Sequence, residues 1–138
     1  MTYELLKTAP SVEDYVRLRR QAGLGLKSPE AAAKGLPNSL FAVTVVHEGA
    51  AVGMGRVIGD GGCFLEVVDI AVVPEHRGKG LGRRIMQEIM NFIERTAPPG
   101  AYVSLITNMP AFYERFGFKP TSPPDDGMFV WFPARGEG

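Results

Sequence analysis

Residues 77–84 read RGKGLGRR, with Gly78, Gly80 and Gly82 interleaved among Arg77, Lys79, Arg83 and Arg84. Glycine has no Cβ to hold a bound group off the backbone, and it enters positive φ without steric cost. Successive bare N–H groups in such a turn make an anion-binding concavity, strengthened where a helix dipole begins. The basic side chains add a charged rim suited to a further phosphate. The preceding run LEVVDIAVV (65–73) reads as a buried strand, and 80–96 carries helical apolar periodicity. Strand, glycine loop and helix together point to capture of a phosphorylated ligand.

Spacing narrows the ligand. A dinucleotide fingerprint needs G-x-G-x-x-G, but Arg83 occupies the third glycine position after Gly78 and Gly80. Starting from Gly53 and Gly55 the third position is Ile58, in a segment that continues as strand. No Gly-Lys-Ser/Thr follows any glycine at the spacing of a Walker loop. Two further groups could do chemistry on the strand before the loop, the carboxylates Glu66 and Asp69. Cys63, beside a Gly-Gly turn with no basic neighbour, reads as an inert small residue rather than a nucleophile. His76 reads as an exposed loop histidine.

Composition bounds what surrounds these residues. With 138 residues the chain is read as one domain over 1–133, followed by a flexible tail over 134–138. Fifteen basic and fifteen acidic residues give zero formal charge, which argues against a general nucleic-acid binder. One cysteine and two histidines allow neither an internal disulfide nor a zinc-ligand set, so no metal is expected. There is no apolar run of membrane-spanning length and no basic-then-apolar leader, so a cytoplasmic location without membrane contact is expected. A homodimer is left open.

The elements that must position the loop follow from periodicity and punctuation. Residues 2–8 alternate as a first strand. Ser11 caps a helix with the stripe Val12, Tyr15, Val16 and Leu18, ended by Gly23 and Gly25. Pro29 opens a second helix that stops near Gly35 and Pro37. Strands at 40–47, 50–58 and 65–73 form a meander through the turns at 48–49 and 59–62. Helix 80–96, strand 101–107 and helix 110–116 follow, then extended segments at 118–121 and 128–132. The strand–helix–strand unit from 65 to 107 makes a parallel pair inside an otherwise mixed sheet, an α/β (α+β) domain.

The segment RGKGLG (77–82) matches the pattern Q/R-x-x-G-x-G/A, and the chain thereby resembles the GNAT superfamily of acyl-CoA N-acyltransferases. VVDIAVVPEHRGKGLGRRIMQEIM is similar to that family's central strand, pyrophosphate loop and helix, and LITNMPAFYERFGF to its next strand and tyrosine-bearing helix. The element order agrees over nearly the whole chain. The resemblance implies a mostly antiparallel sheet of six or seven strands with one splayed parallel pair, flanked by about four helices. It implies that backbone N–H groups over Gly78, Lys79, Gly80, Leu81 and Gly82, with Arg77 and Arg83 at the rim, hold the pyrophosphate of acetyl-CoA. It also implies that the backbone of Ile70, Ala71 and Val72 pairs with the pantetheine arm, which Asn108 contacts.

Acyl transfer from a thioester to an amine has three physical requirements. The amine must lose a proton, since an alkylammonium of pKa about 10.4 has no free lone pair at neutral pH. The carbonyl oxygen needs N–H donors, for which the backbone near Val72 is placed. The departing thiolate benefits from a proton donor. By resemblance Tyr113 is that donor. Glu66 and Asp69 are the candidate bases, either of which could instead pair with Arg56, and a water chain could also serve. Arg20, Lys27 and Asn38 are candidates for the acceptor pocket by polarity and position. The expected activity is direct acetyl transfer to a primary amine of a small molecule, an amino acid or a polyamine-like amine. A peptide amine, or a non-catalytic acyl-CoA sensor, are the alternatives.

Overall fold

Local chemistry starts and stops the helices. The structure, a computed structural model, describes residues 2–133. Ser11 Oγ accepts the Asp14 N–H at 3.1 Å, which begins α1 (Val12–Ala22), and Gly23 ends it at φ 82°. Ser28 Oγ accepts the Ala31 N–H at 3.1 Å to begin α2 (Pro29–Gly35), with Pro29 in the first turn. Ahead of α1 lies β1 (Glu4–Leu6), and after α2 come β2 (Phe41–His47), β3 (Ala50–Gly59) and β4 (Phe64–Val72). The remaining elements are α3 (Leu81–Thr96), β5 (Tyr102–Ser104) and α4 (Pro110–Glu114).

The sheet runs β1-β2-β3-β4-β5 in spatial order, antiparallel except for the β4–β5 pair. That parallel pair is joined through α3, as the crossover requires. Leu81, Ile85, Met86, Ile89 and Ile93 form the buried stripe of α3. With Val43, Val45, Met54 and Val57 of the sheet and Leu18 of α1 they make one core. Close approach of α3 depends on Gly55. A Cβ there would sit 2.6 Å from Ile85 Cγ2 and 2.7 Å from Ile70 Cδ1. Gly55→Ala is therefore expected to destabilise the fold by about 1–3 kcal/mol through overpacking, read as a lower urea midpoint at unchanged slope.

The sheet has five strands, fewer than the six or seven expected, because 118–121 and 128–132 form no ladder among the described residues. Pro120, Pro123 and Pro124 each lack an N–H, and 121–125 close into a turn through Asp125 N–H and Thr121 C=O at 3.2 Å. The apolar run 128–132 has strand-like residues, but such propensity expresses itself only against a pleated surface, and among the described residues the run pairs with none. β5 is also shorter than expected. Its pairing with β4 ends at Glu66–Ser104, and Ile106 is 81% exposed beyond it. The tail expected over 134–138 lies outside the described residues.

Candidate active site

The centre of β4 is bent by one extra residue. Met54 of β3 opposes Ala71 while Arg56 opposes Val68, so two steps on β3 face three on β4. This is a β-bulge, and Asp69 within it sits at φ 60°, the left-handed region that Asp tolerates better than most residues. Alternation without a bulge would put Glu66 and Asp69 on opposite faces. The extra residue puts both on the face of Arg56, opposite the α3 face to which Gly55 and Ile70 are turned.

On that face Asp69 is enclosed by α1. Its Oδ2 accepts from Tyr15 Oη and Arg56 Nε, each at 2.9 Å, and its Oδ1 accepts from Arg19 Nη1. The Asp69 side chain is 4% exposed, and those of Arg19 and Arg56 are 12% and 10% exposed. Arg56 also donates to Ser39 Oγ at 2.8 Å and lies over the Tyr15 ring, 5.5 Å from its centroid. Burial, and then the Asp69 charge, push the Tyr15 hydroxyl above its usual pKa, so it stays protonated and donating. Both Asp69 oxygens are engaged by this network. Glu66 is half-buried where β4 and β5 part, paired across the ladders with Ile58 and Ser104.

Beyond Ser104 a gap opens beside β4. Val73 N–H donates to Val52 C=O at 2.9 Å, so by ladder alternation Val72 turns its own N–H and C=O toward the side that β5 has vacated. Arg77 takes that carbonyl through Nε at 2.9 Å, and its Nη2 donates to Ala22 C=O at 3.0 Å. Its guanidinium thus ties the loop to the strand end and to α1, a different use from the rim contact expected of it.

The glycine loop follows directly. Gly78 and Gly80 adopt φ 78° and 77°, with no atom beyond their chain neighbours within 4 Å of where a Cβ would stand. Gly80 caps α3 without a side chain, its carbonyl accepting the Arg84 N–H at 3.1 Å. The N–H groups of Leu81, Gly82 and Arg83 precede the first intrahelical bond and face outward from the helix start. Lys79, Arg83 and Arg84 are exposed around it. A bare backbone, two left-handed glycines and a basic rim fit a pyrophosphate. His76 is half-buried, not exposed as expected, because Tyr3 Oη lies 2.8 Å from its Nδ1 and the His47 ring packs 5.0 Å away.

Helix α4 closes on the loop. The Phe112 ring lies 3.6 Å from the point where a Gly82 Cβ would be. Tyr113, next in sequence, is half-buried between Phe112 and Phe118, with ring centroids 4.9 and 6.4 Å away. Burial raises its hydroxyl pKa, so the proton is retained throughout the neutral range. Asn108 is exposed in the β5–α4 connection, where Thr107 Oγ1 accepts the Met109 N–H at 2.8 Å.

A cavity of about 180 Å³ opens on the α1–α2 side, lined by Tyr15, Lys27, Ala31, Ala32, Gly35, Leu36 and Arg56. Of the three acceptor candidates, Lys27 lines it and the other two do not. Arg20 is exposed on α1, and Asn38 is turned to Lys34 C=O at 3.0 Å. Tyr15 and Arg19 escaped sequence reasoning. Their only signal was membership of an amphipathic helix, and their partner Asp69 lies 54 and 50 positions away. Among the described residues no three His, Cys, Asp or Glu come together as a metal-ligand set, and no helix is long and apolar enough to cross a membrane.

Comparison with known proteins places the chain in a family. Residues 38–120, from just past α2 to just past α4, match the acetyltransferase (GNAT) domain family. A Staphylococcus aureus protein described as a probable acetyltransferase is 44% identical over 95% of this chain and 100% of its own, with a TM-score of 0.90. The chain belongs to the GNAT acetyltransferases. A GNAT acetyltransferase from Streptococcus pneumoniae is 25% identical over 96% of this chain and 98% of its own, with a TM-score of 0.76. The N-acetylglutamate synthase of Neisseria gonorrhoeae, solved with coenzyme A and L-arginine, shares the fold at 18% identity and a TM-score of 0.69, over 91% of this chain and 29% of its own. No curated protein matches by sequence. The mixed sheet with its single parallel pair and flanking helices is thus a GNAT fold, and the protein is an acetyltransferase.

Proposed function

We propose that this GNAT acetyltransferase transfers the acetyl group of acetyl-CoA directly to a primary amine of a small molecule. The observation that carries this reading is the gap beside Val72, which opens where β5 leaves β4 and runs into the left-handed glycine loop. Acetyl-CoA bound there supplies a thioester carbonyl and a thiolate leaving group. The N–H groups over Gly78 to Gly82 hold the pyrophosphate, with Lys79 and Arg83 at the rim. Ile70 offers backbone partners to an extended amide-bearing arm, as an edge strand would, while the Val72 carbonyl is taken by Arg77. The Val72 N–H takes up negative charge on the carbonyl oxygen. Tyr113 gives its proton to the sulfur, and Glu66, directly or through water, receives one from the amine. Asp69 keeps Arg19, Arg56 and Tyr15 in place.

The cavity supports one acceptor class over the others. Lys27 and Arg56 both line it, which favours an acceptor bearing a carboxylate, an amino acid over a polyamine. Its volume lies below the roughly 300–1,000 Å³ typical of sites for larger ligands, and this favours a small amine over a peptide. Thiol release from acetyl-CoA against a panel of amino acids, polyamines and short peptides tests the reading. Release is expected with an amino acid. Binding of acetyl-CoA without release for any amine would leave only a sensor.

Gly80→Ala tests the loop. Alanine in the left-handed region costs about 1–2 kcal/mol, so the variant loop leaves that conformation and must regain it on binding. An increase of about 5–10-fold in KM for acetyl-CoA is expected, with kcat within twofold of the parent.

A further inference from the structure

The charges around the α1–α2 cavity do not cancel. Arg19, Arg56 and Lys27 stand on one side of the balance, and Asp69 and Glu66 on the other. Glu30 and Lys34 of α2 are exposed, opposite in sign and outside the lining. One positive charge is left over. Hydrogen bonding shows which atom offers it to a ligand. Arg56 Nε donates to Asp69 and Nη1 to Ser39, and among the described residues Nη2 has no partner. Every fully buried side-chain nitrogen or oxygen described has a partner, so Nη2 must reach open space, and Arg56 lines this cavity. A guanidinium 90% withdrawn from water with two N–H groups to spare is a site for an anion. Lys27, exposed at the rim, has no ion pair among the described residues either. The rest of the lining is Ala31, Ala32, Gly35 and Leu36, with no polar side-chain atom, and Tyr15, whose hydroxyl is given to Asp69. The cavity's side chains thus present two cations and no uncommitted acceptor.

We propose that the acceptor is an acidic α-amino acid, with its α-carboxylate on Arg56 and its side-chain carboxylate on Lys27. This rests on the acetyl-transfer reading above and sharpens its substrate. Arg56 faces Val68 across the ladder, so a carboxylate held on it lies one strand from the gap beside β4, with the α-amine adjacent. Lys27 suits the outer carboxylate because its stem is flexible and its ammonium is a point charge without a fixed fork. Charge then balances. An acidic amino acid brings two carboxylates and one ammonium, which offsets the surplus, whereas a neutral amino acid brings no net charge. A carboxamide of the same shape turns N–H donors toward a wall of donors, so it loses a hydrogen bond as well as the charge. Polyamines add positive charge to a site already positive, which excludes them by repulsion.

The ratio of kcat/KM for glutamate over glutamine, and for aspartate over asparagine, tests this, because each pair differs in charge and hardly in shape. A preference of about 10-fold or more for the acidic member of at least one pair is expected, the scale of one charge-assisted hydrogen bond. Lys27→Met keeps much of the stem and removes the charge. It should bring that ratio to within about twofold of one, mainly by raising KM for the acidic substrate. Lys27→Glu should invert it, and at an exposed position both variants should fold. Arg20→Gln removes a like charge from α1 outside the cavity and should leave the ratio at the parental value. An equal fall in that variant would mean diffuse attraction and would overturn the Lys27 contact. Thiol release with neutral amino acids or polyamines and no acidic preference overturns the proposal and leaves acetyl transfer to small amines standing. No release with any amine overturns both.

Discussion

Tyr113→Phe is expected to lower kcat by about 10²-fold, the low end of what a positioned proton donor contributes, and to leave the Kd for acetyl-CoA within twofold. The separation of the two effects follows from the surroundings of the ring. Phe112 and Phe118 hold Tyr113 by its faces and edges, and phenylalanine makes the same contacts. Among the described residues no hydrogen bond holds the hydroxyl, and burial is the one cause of its raised pKa. Removing the oxygen therefore leaves no buried partner unsatisfied, and Tm should stay constant or rise slightly. What disappears is the proton. A tyrosine pKa raised above 10 also places any alkaline limb due to Tyr113 above pH 10, because the hydroxyl must be protonated to donate. Steady-state rates at saturating acetyl-CoA and amine, with calorimetric titration of acetyl-CoA, test the assignment. A kcat within twofold of the parent would remove Tyr113 from the chemistry and leave it a packing residue.

The parts of this molecule that could be read from its residues are those governed by local rules. Ser11 and Ser28 cap helices because a side-chain oxygen three positions ahead of an unpaired N–H meets it in any context. The loop was legible because Gly78 and Gly80 occupy positions where other residues are strained, and because the Arg-x-x-Gly-x-Gly spacing and its neighbours are specific. The outcome at 128–132 was not. Its residues favour a strand, but whether a strand forms depends on a partner edge that sequence does not locate. Arg77 illustrates another limit. Its charge and position suited a phosphate rim, yet two backbone carbonyls, at Val72 and Ala22, claim its guanidinium. Asp69 depends on a bulge, which shifts every later side chain to the other face and leaves no mark in the alternation pattern around it.

That bulge leads to the largest stability effect expected in the protein. Asp69→Ala should destabilise it by about 3–5 kcal/mol, the usual cost of removing one partner from a buried charge network. Two guanidiniums and one hydroxyl converge on this carboxylate, and the charged groups have little access to water. Without Asp69, Arg19 and Arg56 are two buried like charges with no counterion. Tm should fall by about 10–15 °C for a domain of this size. Asp69→Asn keeps a residue that tolerates φ 60° and can still accept one hydrogen bond, so its loss should be smaller. The pair also separates scaffold from base. If Asp69 holds the site together, Asp69→Asn lowers Tm while the acidic limb of the pH–rate profile persists. Glu66→Gln, at a half-buried residue outside that ion-pair network, should do the reverse, flattening the limb at nearly constant Tm. An Asp69→Asn enzyme with parental Tm and no acidic limb would make Asp69 the base. The Arg19–Asp69–Arg56 cluster would then poise a proton acceptor rather than brace the strand.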